Sequence, residues 1–200
     1  MKKRILFATG NQDKLREIRM ILENDSVEIC SMKEAGGCVD IVEDGTTFEE
    51  NAIIKAKTVM EQSGEMCLAD DSGLEIDCLD KAPGVYSARF MGTDTSYEIK
   101  NAAILEKLTE VPEEERTARF VCAIACALPD GRILTCRETM EGRIGYESRG
   151  ENGFGYDPIF YLPEYGCTSA ALPPENKNAI SHRGKASRSM RALLYSEGIL

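Results

Sequence analysis

The spacing of apolar positions changes along the chain, and each change marks an element. Residues 5–8 form a short apolar run closed by Gly10, which predicts a strand and a turn. Asn11 then precedes Leu15, Ile18, Ile21 and Leu22, spaced as one helical face, so a helix over 12–23 capped by Asn11 is expected. Residues 27–30 read as a second strand, and Gly36-Gly37 and Glu43-Asp44-Gly45 as loop. Thr47 followed three residues later by Glu50 has the form of a capping box. The helix it opens should turn Ala52, Ile53, Ala56, Val59 and Met60 inward and stop at Gly64. Residues 66–69 predict a strand leading into Asp70-Asp71-Ser72-Gly73, with another short strand at 74–77. Pro83-Gly84 reads as a turn. A second capping box, Thr95 to Glu98, opens a helix with Ile99, Ala102, Ala103, Ile104 and Leu108 expected inward.

Farther on, a long strand over 117–128, the turn Pro129-Asp130-Gly131 and a return over 132–143 predict a β-hairpin. A glycine-rich loop over 152–158 precedes a strand at 159–161. Pro173-Pro174 leads a short helix, and Ser181 caps a last helix over 182–196 that stops at Gly198. Hairpins mixed with strand–helix units imply a mixed α/β sheet. No repeat, linker or low-complexity segment interrupts the pattern, so residues 1–200 are expected to form a single domain.

Composition narrows the functional classes. The chain has 200 residues, 29% charged and 42% hydrophobic, an ordinary globular balance. Its net charge of −10 makes it a poor non-specific binder of nucleic acid or anionic membrane. The longest apolar runs fall far short of a transmembrane helix, and the basic start lacks the apolar stretch of a signal peptide, so a cytoplasmic protein is expected. Eight cysteines occur, at 30, 38, 67, 78, 122, 126, 136 and 167, with no Cys-x-x-Cys and one histidine, His182. Reduced thiols fit this spacing better than a disulfide framework or zinc.

Three places carry candidate chemistry. Thr9-Gly10-Asn11-Gln12-Asp13-Lys14 puts a glycine turn at a helix N-terminus, where backbone N–H groups and the helix dipole suit a phosphate and Lys14 can reach back. It is not a Walker A loop, and a strand–helix turn capped by Asn11 for stability is an equal alternative. Asp70-Asp71 at the end of an apolar strand offers paired carboxylates suited to Mg²⁺, with Glu43 as a further ligand; a surface Asx turn is the structural alternative. Phe154-Gly155-Tyr156-Asp157, Lys177 and Ser181-His182-Arg183-Gly184-Lys185 combine an aromatic flanked by glycines with hydrogen-bond donors, as a base-binding site would. Core packing for the aromatics, a capping-region surface histidine for His182 and a solvated helix face for Lys185 and Arg188 are the alternatives.

The order and wording of these segments closely resemble the inosine/xanthosine triphosphate pyrophosphatase family. The matching segments are Thr-Gly-Asn-x-x-Lys, Glu49-x-Asn51-Ala52 with Lys55, Ala-Asp-Asp-Ser-Gly-Leu, Gly-Val-Tyr-Ser-Ala-Arg-Phe, Gly-Phe-Gly-Tyr-Asp-Pro and Ser-His-Arg-Gly, running from residue 5 to about 194. The resemblance implies a two-lobed α/β fold of the Maf/ITPase-like kind. It would have a long mixed central sheet flanked by helices, an active-site cleft between the lobes, and a homodimeric state. It implies hydrolysis of ITP, dITP and XTP between the α- and β-phosphates. Asp71 would be general base and metal ligand, and Glu43 the second ligand to Mg²⁺, with Asp44 one residue away. Thr9, Gly10, Asn11, Gln12, Asp13, Lys14, Lys55, Ser72 and Lys177 would contact the nucleotide. Phe154, Gly155, Tyr156, Asp157, His182 and Arg183 would bind the base, with Asp70 and Arg89 less defined. A Maf-like pyrophosphatase acting on other nucleotides is opposed by the intact Ser-His-Arg-Gly and Gly-Phe-Gly-Tyr-Asp segments. A silent nucleotide-binding protein is opposed by the intact Glu43 and Asp71.

Overall fold

The computed structural model describes residues 2–24, 26–37 and 41–200. Cys38 lies outside the described residues. Among the described residues, seven strands form one mixed sheet in the order β2-β1-β3-β4-β5-β6-β7. They are β1 (Lys3–Phe7), β2 (Val27–Ser31), β3 (Cys67–Ile76), β4 (Thr117–Ala127), β5 (Ile133–Ile144), β6 (Phe160–Leu162) and β7 (Cys167–Thr168). β1 pairs in parallel with β2 and β3, and β6 pairs antiparallel with β5 and β7. The helices are α1 (Gln12–Leu22), α2 (Phe48–Ser63), α3 (Tyr97–Lys107), α4 (Pro174–Ile180) and α5 (His182–Ser196). None is long and apolar enough to cross a membrane.

The chain divides into two compact units. The first comprises 1–71, 122–138 and 182–200; the second comprises 72–121 and 139–181. The first unit's core gathers Ile5, Phe7, Leu15, Ile18, Leu68, Ile124 and Met190 from β1, α1, β3, β4 and α5. The second unit's core gathers Leu74, Ile76, Ile104, Phe120, Ile144, Tyr156 and Phe160.

Local signals explain most of the boundaries. Asn11 caps α1 as expected, its side chain accepting from the backbone N–H groups of Asp13 and Lys14. The Thr47–Glu50 capping box opens α2, and Gly64 ends it in the left-handed conformation that favours glycine. The seven described cysteines are free thiols.

Three expectations are corrected. Asp70-Asp71-Ser72-Gly73 is not a turn between two strands, because β3 runs straight through it from Cys67 to Ile76. Burial of both carboxylates, satisfied by cations and an amide, outweighs the turn chemistry of Asp-Ser-Gly. The second capping box is displaced: Ser96, not Thr95, caps α3 by accepting from Ile99 N–H, while the Thr95 hydroxyl donates to Met91 O. The buried face of α3 therefore differs as well. Lys100, Asn101 and Ile104 are buried, whereas Ile99 is 54% exposed and Ala102 is exposed. On α2, likewise, Ile53 and Met60 are half-buried while Asn51 and Lys55 are buried. Apolar periodicity misreads both helices for one reason, that polar side chains with partners are directed inward.

A buried charge cluster and an aromatic loop

Within the first unit, β1 delivers the chain to Thr9, and the turn that follows is tied by its own side chains. Thr9 Oγ1 accepts from Asn11 N–H at 3.1 Å, and Asn11 Oδ1 accepts from Asp13 and Lys14 N–H at 2.9 and 3.1 Å. Gly10, Asn11 and Gln12 are exposed, at the positive end of the α1 dipole. Asp13 pairs with Arg16 on the surface of the same helix. Lys14, one turn into α1, extends its ammonium to Asp70 Oδ2 at 3.1 Å.

Asp70 is the hub of a buried chain of charges. Its Oδ2 also accepts from Arg183 Nε at 3.1 Å, and Arg183 Nη1 donates to Glu17 Oε2 at 2.6 Å. The Asp70 side chain is fully buried and that of Arg183 is 2% exposed. Burial alone would raise the Asp70 carboxyl, but Lys14, Arg183 and Lys55 outweigh it and hold the group well below the usual carboxylate range. His182, beside Arg183 at the start of α5, is also buried.

The adjacent carboxylate has different company. Asp71 Oδ2 accepts from Asn51 Nδ2 at 3.1 Å, and its Oδ1 lies 3.5 Å from Lys55 Nζ. Lys55 Nζ also donates to Glu43 Oε2 at 2.9 Å, so Glu43 and Asp71 converge on one ammonium. Asn51 and Lys55 lie one turn apart on α2, and Asn51 Oδ1 accepts from Gly45 N–H, which ties the acidic loop to the helix. Asp44 is exposed, so it is Glu43 that faces the cluster. Burial pushes Asp71 above the ordinary aspartate value, opposed by Lys55, Lys14 and the Asn51 hydrogen bond.

Within the second unit, the segment 153–157 folds around the Asp157 carboxylate. Its Oδ2 accepts from Phe154 N–H at 2.8 Å and from Lys177 Nζ at 2.5 Å, and its Oδ1 accepts from Ser169 Oγ at 2.5 Å. Lys177 also lies 4.9 Å from the centre of the Phe154 ring. Gly153 adopts a positive φ, and a Cβ there would strike Asp157, so the turn admits only glycine. The Tyr156 ring is in the core, meeting Tyr97 edge-on, and its hydroxyl donates to Ser87 O at 2.7 Å. Ser72, on β3, is half-buried, and the Arg89 guanidinium lies 5.0 Å over the Tyr86 ring.

In the first unit the structure thus brings Lys14 and Arg183 onto Asp70, and brings Glu43 and Asp71 onto Lys55. It brings Phe154, Asp157 and Lys177 together in the second. Sequence reasoning missed Glu17, Asn51 as a partner of Asp71, Ser169 and Asn101. The available signal for Glu17 was its place three residues after Lys14 on an otherwise apolar face.

Known proteins place the chain. The profile of the Ham1 family matches residues 5–193. The dITP/XTP pyrophosphatase of Exiguobacterium sibiricum is 48% identical over 96% of this chain and 96% of its own length. That of Desulforamulus reducens is 49% identical over 96% and 95%. A HAM1 protein from Coxiella burnetii superposes with a TM-score of 0.88 at 41% identity, covering 97% of this chain and 99% of that one. The Staphylococcus aureus Ham1 protein gives 0.87 at 39% identity over 98% and 100%. With a profile match over nearly its whole length, the chain belongs to the Ham1 family.

Proposed function

We propose that this chain is a nucleoside triphosphate pyrophosphatase acting on dITP, XTP and ITP. It releases the nucleoside monophosphate and pyrophosphate, and so removes deaminated purine nucleotides from the cytoplasmic pool. Residues 1–200 serve as its one catalytic domain, and the active species is a homodimer. The observation that carries the reading is the convergence of Glu43, Lys55 and Asp71 beside the Lys14–Asp70 pair.

The two carboxylates divide the work by environment. Asp70 is fully buried and neutralised by two cations on one oxygen, so it anchors Lys14 rather than taking a proton. Asp71 keeps 11% exposure and is pushed up by burial, which suits a general base. It draws the proton from a water whose oxygen attacks the α-phosphorus, and the bond to the β-phosphate oxygen breaks as pyrophosphate leaves. Lys14 and Lys55 balance charge on the phosphate oxygens, and the N–H groups of exposed Gly10 and Gln12 at the start of α1 add donors. Thr9 and Asn11 keep that turn in shape.

Glu43 and Asp71 also fit a magnesium ion. They are hard oxygen donors that already converge on one cation, and Mg²⁺ is characteristically held by one or two carboxylates together with substrate phosphates. Bound there, the ion would neutralise charge developing on the phosphates. In the second unit, the Phe154 ring stacks on the purine while Asp157 and Lys177 hold the loop. In the first unit, Arg183 at the start of α5 serves by holding Asp70 and Glu17, with His182 buried beside it.

The test is pyrophosphate release from a panel of standard and deaminated triphosphates with Mg²⁺. Release from dITP, XTP and ITP, little from ATP, and loss of activity in chelator are expected. Inorganic phosphate as the direct product would refute the cleavage position. Full activity in chelator would refute the metal.

A further inference from the structure

The motif over 84–90 has no part in the chemistry above, and α3 directs two polar side chains inward in its place. Lys100 Nζ donates to Ala88 O at 2.7 Å, and Asn101 Nδ2 donates to Gly155 O at 3.1 Å. Tyr156 closes the triangle through Ser87 O. Ser87 Oγ in turn accepts from Leu74 N–H at 2.8 Å and donates to Gly84 O at 2.6 Å, fixing the 84–90 segment to β3. Two successive residues of one helix therefore hold two separate backbone segments, all inside the second unit.

Stability alone does not explain Asn101. Asparagine is a poor helix former, and Asn101 is 4% exposed, with its Oδ1 buried and without a hydrogen-bond partner among the described residues. The same helix leaves Ile99 in solvent. Turning Ile99 inward would bury more apolar surface, so the observed register serves the carbonyls that Lys100 and Asn101 grip. The carbonyl held by Asn101 belongs to Gly155, next to Phe154 and in a left-handed conformation, where a small shift would change the tilt of the ring.

We propose that Asn101 is a positioning residue for nucleotide binding: its amide fixes the Gly155 carbonyl and thereby the pose of the Phe154 ring that receives the purine. The inference rests on the assignment of Phe154 as the base platform. The experiment compares kcat and KM for ITP and for ribose 5-triphosphate, which lacks a base, in the full-length enzyme and in Asn101→Ala, Phe154→Ala and the double variant. Asn101→Ser serves as a second variant if the alanine protein does not fold.

Loss of one hydrogen bond is expected to raise KM for ITP ~3- to 10-fold with kcat within about twofold. The preference for ITP over ribose 5-triphosphate should narrow by the same factor. The double variant should lose no more than Phe154→Ala alone, because both changes act through one ring. A lowered Tm with KM unchanged would show Asn101 to be scaffold only and overturn the proposal. An effect of Phe154→Ala with none from Asn101→Ala overturns the role of Asn101 alone. No effect of Phe154→Ala on the preference overturns the base platform, and the proposal with it.

Discussion

Two neighbouring aspartates on one strand show how far environment separates identical side chains. Side chains alternate along a strand, so Asp70 and Asp71 point to opposite faces of β3 and meet different partners. Asp70 receives Lys14 and Arg183, while Asp71 receives Asn51 and Lys55. Removing the charge at Asp71 keeps its shape and its contact with Asn51 through the remaining amide oxygen. Asp71→Asn is therefore expected to fold normally and to lose ~10²-fold or more in kcat, read in a pyrophosphate assay with circular dichroism as the folding control. Near-normal turnover would place the base elsewhere. At this scale Lys14, Glu43 and Asp71 stand out in the sequence by chemical type and Lys55 through the family resemblance, and the structure gathers them in the first unit. The sequence is silent on long-range pairs such as Glu17 with Arg183, which lie 166 positions apart.

Elements were legible where their ends carry chemistry, and less so along their faces. Asn11, Thr47 with Glu50, and Gly64 fix where α1 and α2 begin or end. The sequence alone splits β3, because Asp-Asp-Ser-Gly is turn-forming in isolation, and long-range partners pull it into one strand. Periodicity does not show the inward faces of α2 and α3, because their buried polar residues are satisfied by distant groups. The cap of α2 matters beyond stability, since this helix sets Asn51 and Lys55 against Asp71. Thr47→Ala removes the hydroxyl that accepts from Glu50 N–H and is expected to cost about 1 kcal/mol, measured as a lower urea midpoint at constant m-value. A change in m-value instead would point to an altered denatured state or a loss of two-state unfolding.

For the whole molecule, the feature that governs behaviour is how the chain is shared. β3, β4 and β5 each begin in one compact unit and end in the other, so neither unit is one continuous stretch of sequence. Strands shared in this way should make unfolding a single cooperative event. The composition supplies a reporter for each unit. The chain has no tryptophan and seven tyrosines, and all of them except Tyr195 belong to the second unit. The buried thiols of Cys67, Cys122 and Cys126 belong to the first, with burial pushing Cys67 and Cys126 up to about 12. Tyrosine emission and thiol alkylation followed against urea are expected to change together, with the exposed Cys78 labelled before the transition. Separate midpoints would show that the units open independently. The uneven distribution of chromophores and thiols thus makes the native protein its own two-channel optical and chemical probe, with no inserted label.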